Sequence, residues 1–171
     1  MSTVPDIEGW CLERTTDDDI DELVTWFDSE ASVRTWGGPC IRYPINRESF
    51  MEDCHWHDME TFSLRGPDGV FSAFGQLYVR HDRINLARLI VHPALRGQGI
   101  GKRLMKSLMS VGKDLFPCDE YSLFVYRDNT PAIECYRKLG FVIQDYPPDR
   151  SLADVCFYMA CPVAGRSSGL N

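Results

Sequence analysis

Apolar and polar residues follow two different periods along the chain. Ile7–Thr15 alternates with a period of two, which predicts a first strand, and Thr16 is a typical N-cap for a helix that extends to about Asp28. A second helix is predicted from near Asn46 to just before Thr61. Further strand-like segments are Thr61–Leu64, Val70–Arg80, Ile84–His92, Glu120–Tyr126, Phe141–Gln144 and Asp154–Cys161.

After Pro93 the apolar residues recur every three or four positions, as on one face of a long helix. That face carries Ile100, Leu104, Leu108, Val111 and Leu115. A last helix is predicted over Thr130–Leu139, with Thr130 as its cap and Gly140 as its stop. This order predicts an α/β fold of the α+β type. Its sheet is mixed and mostly antiparallel, with six or seven strands, one parallel step and about four flanking helices.

The composition is that of one globular domain. The chain has 171 residues, of which 44% are hydrophobic, and it can bury a sizeable core. We expect the domain to cover residues 1–164 and a short polar tail to cover residues 165–171. No segment approaches the roughly 18 apolar residues of a membrane span, and the first residues lack the pattern of a signal peptide. A soluble, cytoplasmic protein that does not contact membranes is therefore expected.

The charge is distributed unevenly. Residues 1–60 contain 15 acidic residues and four arginines, a net charge of −11, whereas the remaining 111 residues carry +4. This asymmetry suits a cationic acceptor at one face and an anionic ligand at the other. Alternatively, the acids of Asp17–Glu22 form a solvated first helical turn that the helix dipole favours. No basic stripe indicates a nucleic-acid partner.

The seven cysteines are an odd number and include no C-x-x-C pair. Reduced, mostly buried thiols are the simpler interpretation. In the segment Cys54–His57, one cysteine and two histidines fall within a single helical turn. A structural zinc site needs four ligands, so no metal is expected there.

A glycine-rich turn joins a strand to the long helix. Gly97, Gly99 and Gly101 alternate with other residues at the helix N-terminus, where free N–H groups and the dipole favour an anion. The turn lacks two features of a P-loop, because Arg96 stands where a glycine is required and Arg103 follows the lysine. It also lacks the third glycine of a dinucleotide fingerprint, since Lys102 stands there. A turn that merely allows tight helix packing remains the alternative.

The segment Arg96–Gly101 resembles the Arg/Gln-x-x-Gly-x-Gly/Ala motif of the GNAT N-acetyltransferases. A second signature of that family, Asn-x-x-Ala-x-x-x-Tyr-x-x-x-Gly-Phe, is matched from Asn129 to Phe141 and includes Tyr136. The resemblance covers about Ile84–Ile143. It implies a sheet that splays between its fourth and fifth strands and holds acetyl-CoA there, with no metal.

The resemblance also implies roles for individual residues. The main chain of Leu89, Ile90 and Val91 would pair with the pantetheine arm. The pyrophosphate would be held by the turn of Arg96, Gly97, Gln98, Gly99, Ile100, Gly101 and Lys102. Asn129 would bond the thioester end, and Tyr136 would protonate the departing thiolate. As alternatives, Asn129 only satisfies its own turn and Tyr136 is a core aromatic residue.

The sequence does not identify the general base. Many relatives carry a glutamate where this chain has Asn85, which cannot accept a proton, so His81, Asp82, Glu120 or a water relay remain candidates. A lysine-type amine with a pKa of about 10.4 is almost fully protonated at pH 7, whereas an α-amine near 8 is about a tenth neutral. The missing acid therefore slightly favours a weakly basic acceptor.

The acceptor site is expected in the first half of the chain. Trp36 and Tyr43 would provide aromatic walls and Arg42 would hold a substrate carboxylate. Alternatively, the two aromatic residues plug one end of the core. The predicted function is an acetyl-CoA-dependent N-acetyltransferase acting on a small-molecule or peptide amine, and a homodimer is a candidate assembly. The rivals are a non-catalytic acyl-CoA-binding module and a transferase that uses a longer acyl-CoA.

Overall fold

The computed structural model describes residues 4–5 and 8–166. The described strands are β1 (Val4–Pro5), β2 (Cys11–Arg14), β3 (Glu60–Arg65), β4 (Phe71–Arg80), β5 (Arg83–Val91), β6 (Glu120–Tyr126), β7 (Val142–Gln144) and β8 (Cys156–Pro162). The described helices are α1 (Asp17–Leu23), α2 (Glu30–Gly37), α3 (Arg47–Asp53), α4 (Ile100–Leu115) and α5 (Thr130–Lys138). Parts of two predicted segments, Ile7 and residues 167–171, lie outside the described residues.

The strands form one sheet in the order β1-β2-β3-β4-β5-β6-β8-β7. Within the described residues, β5 and β6 are the parallel pair and the other neighbours are antiparallel. The predicted mixed α/β fold with a single parallel step is therefore confirmed. Because the two-residue strand β1 comes first, the predicted fourth and fifth strands are β5 and β6, and the sheet has one strand more than expected.

The first helical region differs from its prediction. The helix that begins after Thr16 ends at Leu23, a short 3-10 turn follows at Val24–Trp26, and the separate helix α2 begins after Ser29. Ser29 starts α2 because its side chain accepts a hydrogen bond from the backbone N–H of Ser32. Trp36 therefore lies in the last turn of a helix that the apolar pattern did not predict.

The helices cover both faces of the sheet. On one face α4 packs against the central strands, where a Cβ at Gly75 would lie 2.6 Å from Cδ1 of Leu108. Glycine therefore allows α4 to approach β4 closely. On the other face, α1, α2 and α3 bury a second core that includes Phe50 and Phe74. The sheet thus separates two hydrophobic cores.

The parallel pair is short. Ile84 pairs with Tyr121 and Asn85 with Ser122. Beyond these two pairs, β5 and β6 are not paired with each other. On its other side β5 contains a bulge, because Gln76 pairs with Ala87 but Phe74 pairs with Ile90. Two residues, Arg88 and Leu89, therefore lie opposite one residue of β4. Arg88 adopts the left-handed conformation with φ +51°.

The end of the described chain is attached to the domain. The guanidinium of Arg166 donates hydrogen bonds to the carbonyls of Phe116 at 2.7 Å, Cys118 at 2.9 Å and Lys113 at 2.5 Å. Residue 166 thus packs on the C-terminal end of α4, although the sequence placed it in a tail. None of the helices in the described ranges is long and apolar enough to cross a membrane.

The cysteines are free thiols. Cys54, Cys156 and Cys161 are buried and Cys40 is exposed. Burial raises the pKa of the Cys54 thiol to about 12. Across the residues that the structure describes, no three histidine, cysteine or acidic side chains are grouped as metal ligands.

Candidate active site

A cleft of about 220 Å³ opens where β5 and β6 separate. One wall is the end of α2, from Thr35 to Gly38, and the floor is β5 from Asn85 to Leu89. The opposite wall is formed by β6, by α5 with its N-cap residue, and by the segment before β8. Aromatic side chains from several elements supply much of the lining of the cleft: Trp36, Tyr78, Phe124, Tyr126, Tyr136 and Tyr146.

The glycine-rich turn lies at the N-terminus of α4. Gly97 and Gly99 have φ angles of +79° and +78°, a conformation that glycine adopts readily, and Gly99 is the N-cap residue of α4. No side chain caps this helix, and a Cβ on either glycine would meet no atom within 4 Å. The first-turn N–H groups of a 16-residue helix therefore face an open surface, as an anion site requires.

The side chains around this turn have different environments. Arg96, Gln98 and Lys102 are exposed, and neither cation forms an ion pair with a described residue. Ile100 is buried in the core beneath α4, and a Cβ on Gly101 would make ordinary contact with Val91. Two cations are thus available beside the open amides, while Ile100 anchors the helix.

The backbone of β5 past Asn85 has no strand partner on the side of β6 within the described part of the chain. Leu89 lines the cleft, Ile90 is buried on the face of α1 to α3, and Val91 packs against the core beneath α4. A free strand edge that leads to an anion-binding turn fits an extended ligand with a phosphate group. The residues present therefore fit coenzyme A.

Asn129 and Tyr136 line the same cleft as Leu89. Asn129, rather than the predicted Thr130, is the N-cap residue of α5, and its side chain makes no capping hydrogen bond. The ring of Tyr136 packs against Phe141 at a centroid distance of 6.2 Å. Burial raises the pKa of the Tyr136 phenol, so this hydroxyl is protonated at neutral pH.

The three residues predicted for the acceptor site do not lie together. Trp36 lines the cleft and donates a hydrogen bond of 2.8 Å from Nε1 to the carbonyl of Arg88. Arg42 lies outside the cleft, because its Nε donates to Oδ1 of Asp53 at 3.1 Å on the surface. Tyr43 is 44% exposed and also lies outside the cleft. The structure thus brings only Trp36 to the expected site.

The candidates for the general base also lie elsewhere. His81 and Asp82 form the turn between β4 and β5, and Glu120 pairs with Arg83 at 3.3 Å. These residues border a separate depression at the other end of the strands. Asn85 does line the cleft, where its Oδ1 accepts a hydrogen bond of 3.2 Å from Ser122 Oγ. No aspartate, glutamate or histidine is found among the described residues that line the cleft.

The acids of α1 have structural partners. Asp19 accepts hydrogen bonds from Ser63 Oγ at 2.9 Å and from Arg65 Nη2 at 2.5 Å, and it completes the capping box of α1. Asp21 pairs with Arg47. Neither acid lines the cleft, so the expectation that this acidic segment faces a cationic acceptor is not supported by their positions.

Sequence reasoning missed two arginines of the cleft, Arg80 and Arg88. The guanidinium of Arg80 lies 4.6 Å from the centre of the Phe124 ring and pairs with Asp149 at 3.0 Å. Alternation along a strand could place Tyr78 and Arg80 on one face, but no local signal shows where β5 and β6 separate. Burial also raises the pKa of Tyr146, to about 12.

Comparison with known proteins agrees with this architecture. The spermine/spermidine N(1)-acetyltransferase of Bacillus subtilis is 26% identical over 96 residues, which cover 53% of this chain and 62% of that protein. The N-alpha-acetyltransferase of Sulfurisphaera tokodaii is 31% identical over 97 residues, which cover 54% and 56%. The chain thus spans about six tenths of the length of these curated relatives.

A solved structure and a family model extend the comparison. Spermidine N-acetyltransferase from Vibrio cholerae, solved in complex with CoA and spermine, shares the fold with a TM-score of 0.71. The alignment covers 91% of this chain and 96% of that one, at 14% identity. The model of the acetyltransferase (GNAT) family matches residues 22–141, which include α2, the bulged strand β5, the glycine-rich turn and α5. The chain belongs to the acetyltransferase (GNAT) family.

Proposed function

We propose that this protein is an N-acetyltransferase that moves an acetyl group from acetyl-CoA to the primary amine of a small molecule or peptide. The observation that carries the proposal is the convergence of Leu89, Asn129 and Tyr136 on one cleft at the point where β5 and β6 separate. Family membership and the names of the relatives support the reaction class. The CoA complex of the Vibrio cholerae protein supports the choice of donor.

The donor would be held mainly by the backbone. The main chain of Leu89–Val91 would pair with the extended arm, and the amides of Gly97–Lys102 would hold the pyrophosphate. The exposed Arg96 would add charge to that site. Asn129 would bond the end of the arm, because its amide is not used to cap α5.

The chemistry requires an acid near the leaving sulfur. Acetyl-CoA supplies an activated thioester that an amine attacks directly. The backbone N–H near Val91 would polarise the thioester carbonyl. The Tyr136 hydroxyl would donate its proton to the departing thiolate, and its raised pKa keeps it protonated for that step.

The acceptor must lose a proton without a carboxylate or imidazole in the described lining of the cleft. Asn85 cannot serve as a base, since an amide takes no proton at neutral pH. Water would therefore take that proton and return one to the Tyr136 phenolate, which restores the acid. The neutral fraction of the amine in solution would limit the rate. This requirement favours acceptors whose amine pKa lies near 8 over lysine-like amines.

The test is acetyl-CoA turnover against a panel of amino acids, polyamines, aminoglycosides and peptides, with detection of the product by mass. We expect an acetylated product with the wild-type protein and a large loss in Tyr136→Phe. Mass detection is needed because the cysteine thiols of the protein interfere with thiol reagents. Acetyl-CoA binding without any product would instead support a binding module, and faster turnover of a longer acyl-CoA would change the donor.

A further inference from the structure

We infer that the acceptor amine carries a carboxylate and that Arg88 binds it. This inference rests on the proposed transfer reaction and names the substrate class of the same cleft. Arg88 occupies the bulge of β5, next to Leu89, and both residues line the cleft beside Trp36. The assignment makes Arg88 a specificity-determining residue.

Arg88 is a partly buried cation with neutral partners. Its Nη1 donates a hydrogen bond of 2.8 Å to Oε1 of Gln76 and lies 3.4 Å from Sδ of Met59. Its Nε is buried and has no hydrogen-bond partner in the described residues. No carboxylate of the described chain lies within 4 Å of this guanidinium, although a desolvated charge normally has a counter-ion. Asp53 is near enough for Arg88 to help lower the pKa of its carboxyl, but that carboxylate is bonded by Arg42. An anion from outside the protein would complete the site.

Charge in the rest of the cleft favours the same ligand. The described lining contains two arginines and neither aspartate nor glutamate. Arg80 already pairs with Asp149, whereas Arg88 has no carboxylate of the described chain within 4 Å. A polyamine would add two or more positive charges beside Arg88 and would be repelled. A carboxylate would be attracted and can accept two parallel N–H bonds from a guanidinium.

The position and size of the cleft limit the acceptor further. The side chain of Arg88 contacts Gln76, whose amide bonds the carbonyl of Cys54 on the face covered by α1 to α3. The glycine-rich turn begins α4, which packs on the opposite face. A carboxylate at Arg88 would therefore approach from the side opposite to α4.

The volume of the cleft limits the size of the acceptor. At about 220 Å³ it is below the roughly 300–1,000 Å³ of typical ligand pockets, so the acceptor is small.

The experiment compares free amino acids with their carboxamides, which keep the side chain but lack the negative charge. Because the amine of the carboxamide has the lower pKa, affinities and rates are compared per neutral amine. Binding to the CoA-bound protein is measured by calorimetry, and acetylation is measured separately by product mass. We expect the free acid of the best pair to bind about tenfold or more tighter than its amide. Spermidine should bind more weakly than the free acid. This comparison uses the wild-type protein and needs no variant.

Variants then assign the preference to Arg88. Arg88→Gln should reduce the preference for the acid to within about twofold of unity, because the side chain keeps a polar end but loses its charge. Arg88→Lys should retain part of the preference. Arg47→Gln, which removes an exposed cation from α3, should leave the preference unchanged. Circular dichroism and CoA affinity verify that each variant is folded.

The outcomes separate this inference from the proposed function. Selective binding of the acids without any acetylated product would support the carboxylate site and contradict the transfer reaction. Acetylation of amides or spermidine as efficiently as of acids would confirm transfer and overturn the carboxylate site. Equal or absent binding of acids and amides, or an unchanged preference in a folded Arg88→Gln variant, would also overturn it.

Discussion

The indole Nε1 of Trp36 donates a hydrogen bond of 2.8 Å to the carbonyl of Arg88. The bond joins the last turn of α2 to the bulge of β5, 52 positions later in the chain. Arg88 has a positive φ angle, which is unfavourable for a side chain of this size, and tertiary contacts must therefore hold it. The contact thus fixes the wall of the cleft relative to its floor.

We predict that Trp36→Phe will lower the free energy of unfolding by about 1 kcal/mol beyond the loss of ring area, because the Arg88 carbonyl loses its donor. The smaller ring still packs against Phe27 and Phe50. Urea denaturation measures the loss, and kcat/KM for the best acceptor should fall with it. Trp56→Phe is the matched control, since the Trp56 indole bonds no described residue. Equal losses in both variants would contradict the role of this hydrogen bond.

Tyr136→Phe should reduce kcat by about 100-fold or more, because the leaving thiolate loses its proton donor. The affinity for acetyl-CoA, measured by calorimetry, should stay nearly unchanged because the ring remains against Phe141.

The pH profile provides a second measurement of the same residue. In the wild-type protein kcat/KM should rise with pH as the acceptor amine loses its proton. It should show no alkaline decline up to about pH 10, because burial keeps the pKa of the Tyr136 phenol above its ordinary value of about 10. A decline between pH 7 and 9 would indicate a different acid.

Gly99→Ala should weaken acetyl-CoA binding by about tenfold, because the N-cap of α4 needs φ +78° and the added methyl group enters the anion-binding surface. Gly69→Ala is the control: its φ is +81°, its surroundings are equally open, and it lies in the turn between β3 and β4. Both variants should lose a similar free energy of unfolding, about 1 kcal/mol. Only Gly99→Ala should change the dissociation constant, and an equal change in both would argue against a pyrophosphate site.

Arg166→Ala should destabilise the protein by about 1–3 kcal/mol, because three carbonyls at the end of α4 lose a charged donor together. Lys106→Ala removes an exposed cation from the same helix and should stay within about 0.5 kcal/mol of the wild type. Thermal unfolding compares the two variants. If Arg166→Ala unfolds like the wild type, its hydrogen bonds contribute no net stability.

The arrangement of the residues proposed for the donor half was predictable because these residues are close in sequence. The segment from Leu89 to Lys102 runs from the end of β5 into the first turn of α4, and glycine spacing there determines the backbone locally. Asn129 and Tyr136 belong to one short helical segment in the same way. Local conformation thus determines where these residues lie, and distant contacts are not needed to predict their arrangement.

The lining of the proposed acceptor half was not predictable for the opposite reason. Arg42 and Arg88 are both arginines near aromatic residues, but Arg42 folds back on Asp53 whereas Arg88 lines the cleft. Alternation along β5 could not place Arg88, because the bulge shifts the register of the strand at that residue. The helix α2 was missed as well, since Ser29 starts it within a pattern that resembles a longer first helix.

Apart from β1 and α2, the sequence by itself determined the order of strands and helices, the single parallel step and the open turn at the start of α4, because periodicity and glycine conformation act over a few residues. Only the tertiary structure decided which charged residues meet in the cleft. That choice depends on where β5 and β6 separate, on the bulge at Arg88 and on the contact from Trp36. Each of these joins residues far apart in the chain, and such contacts leave no local pattern.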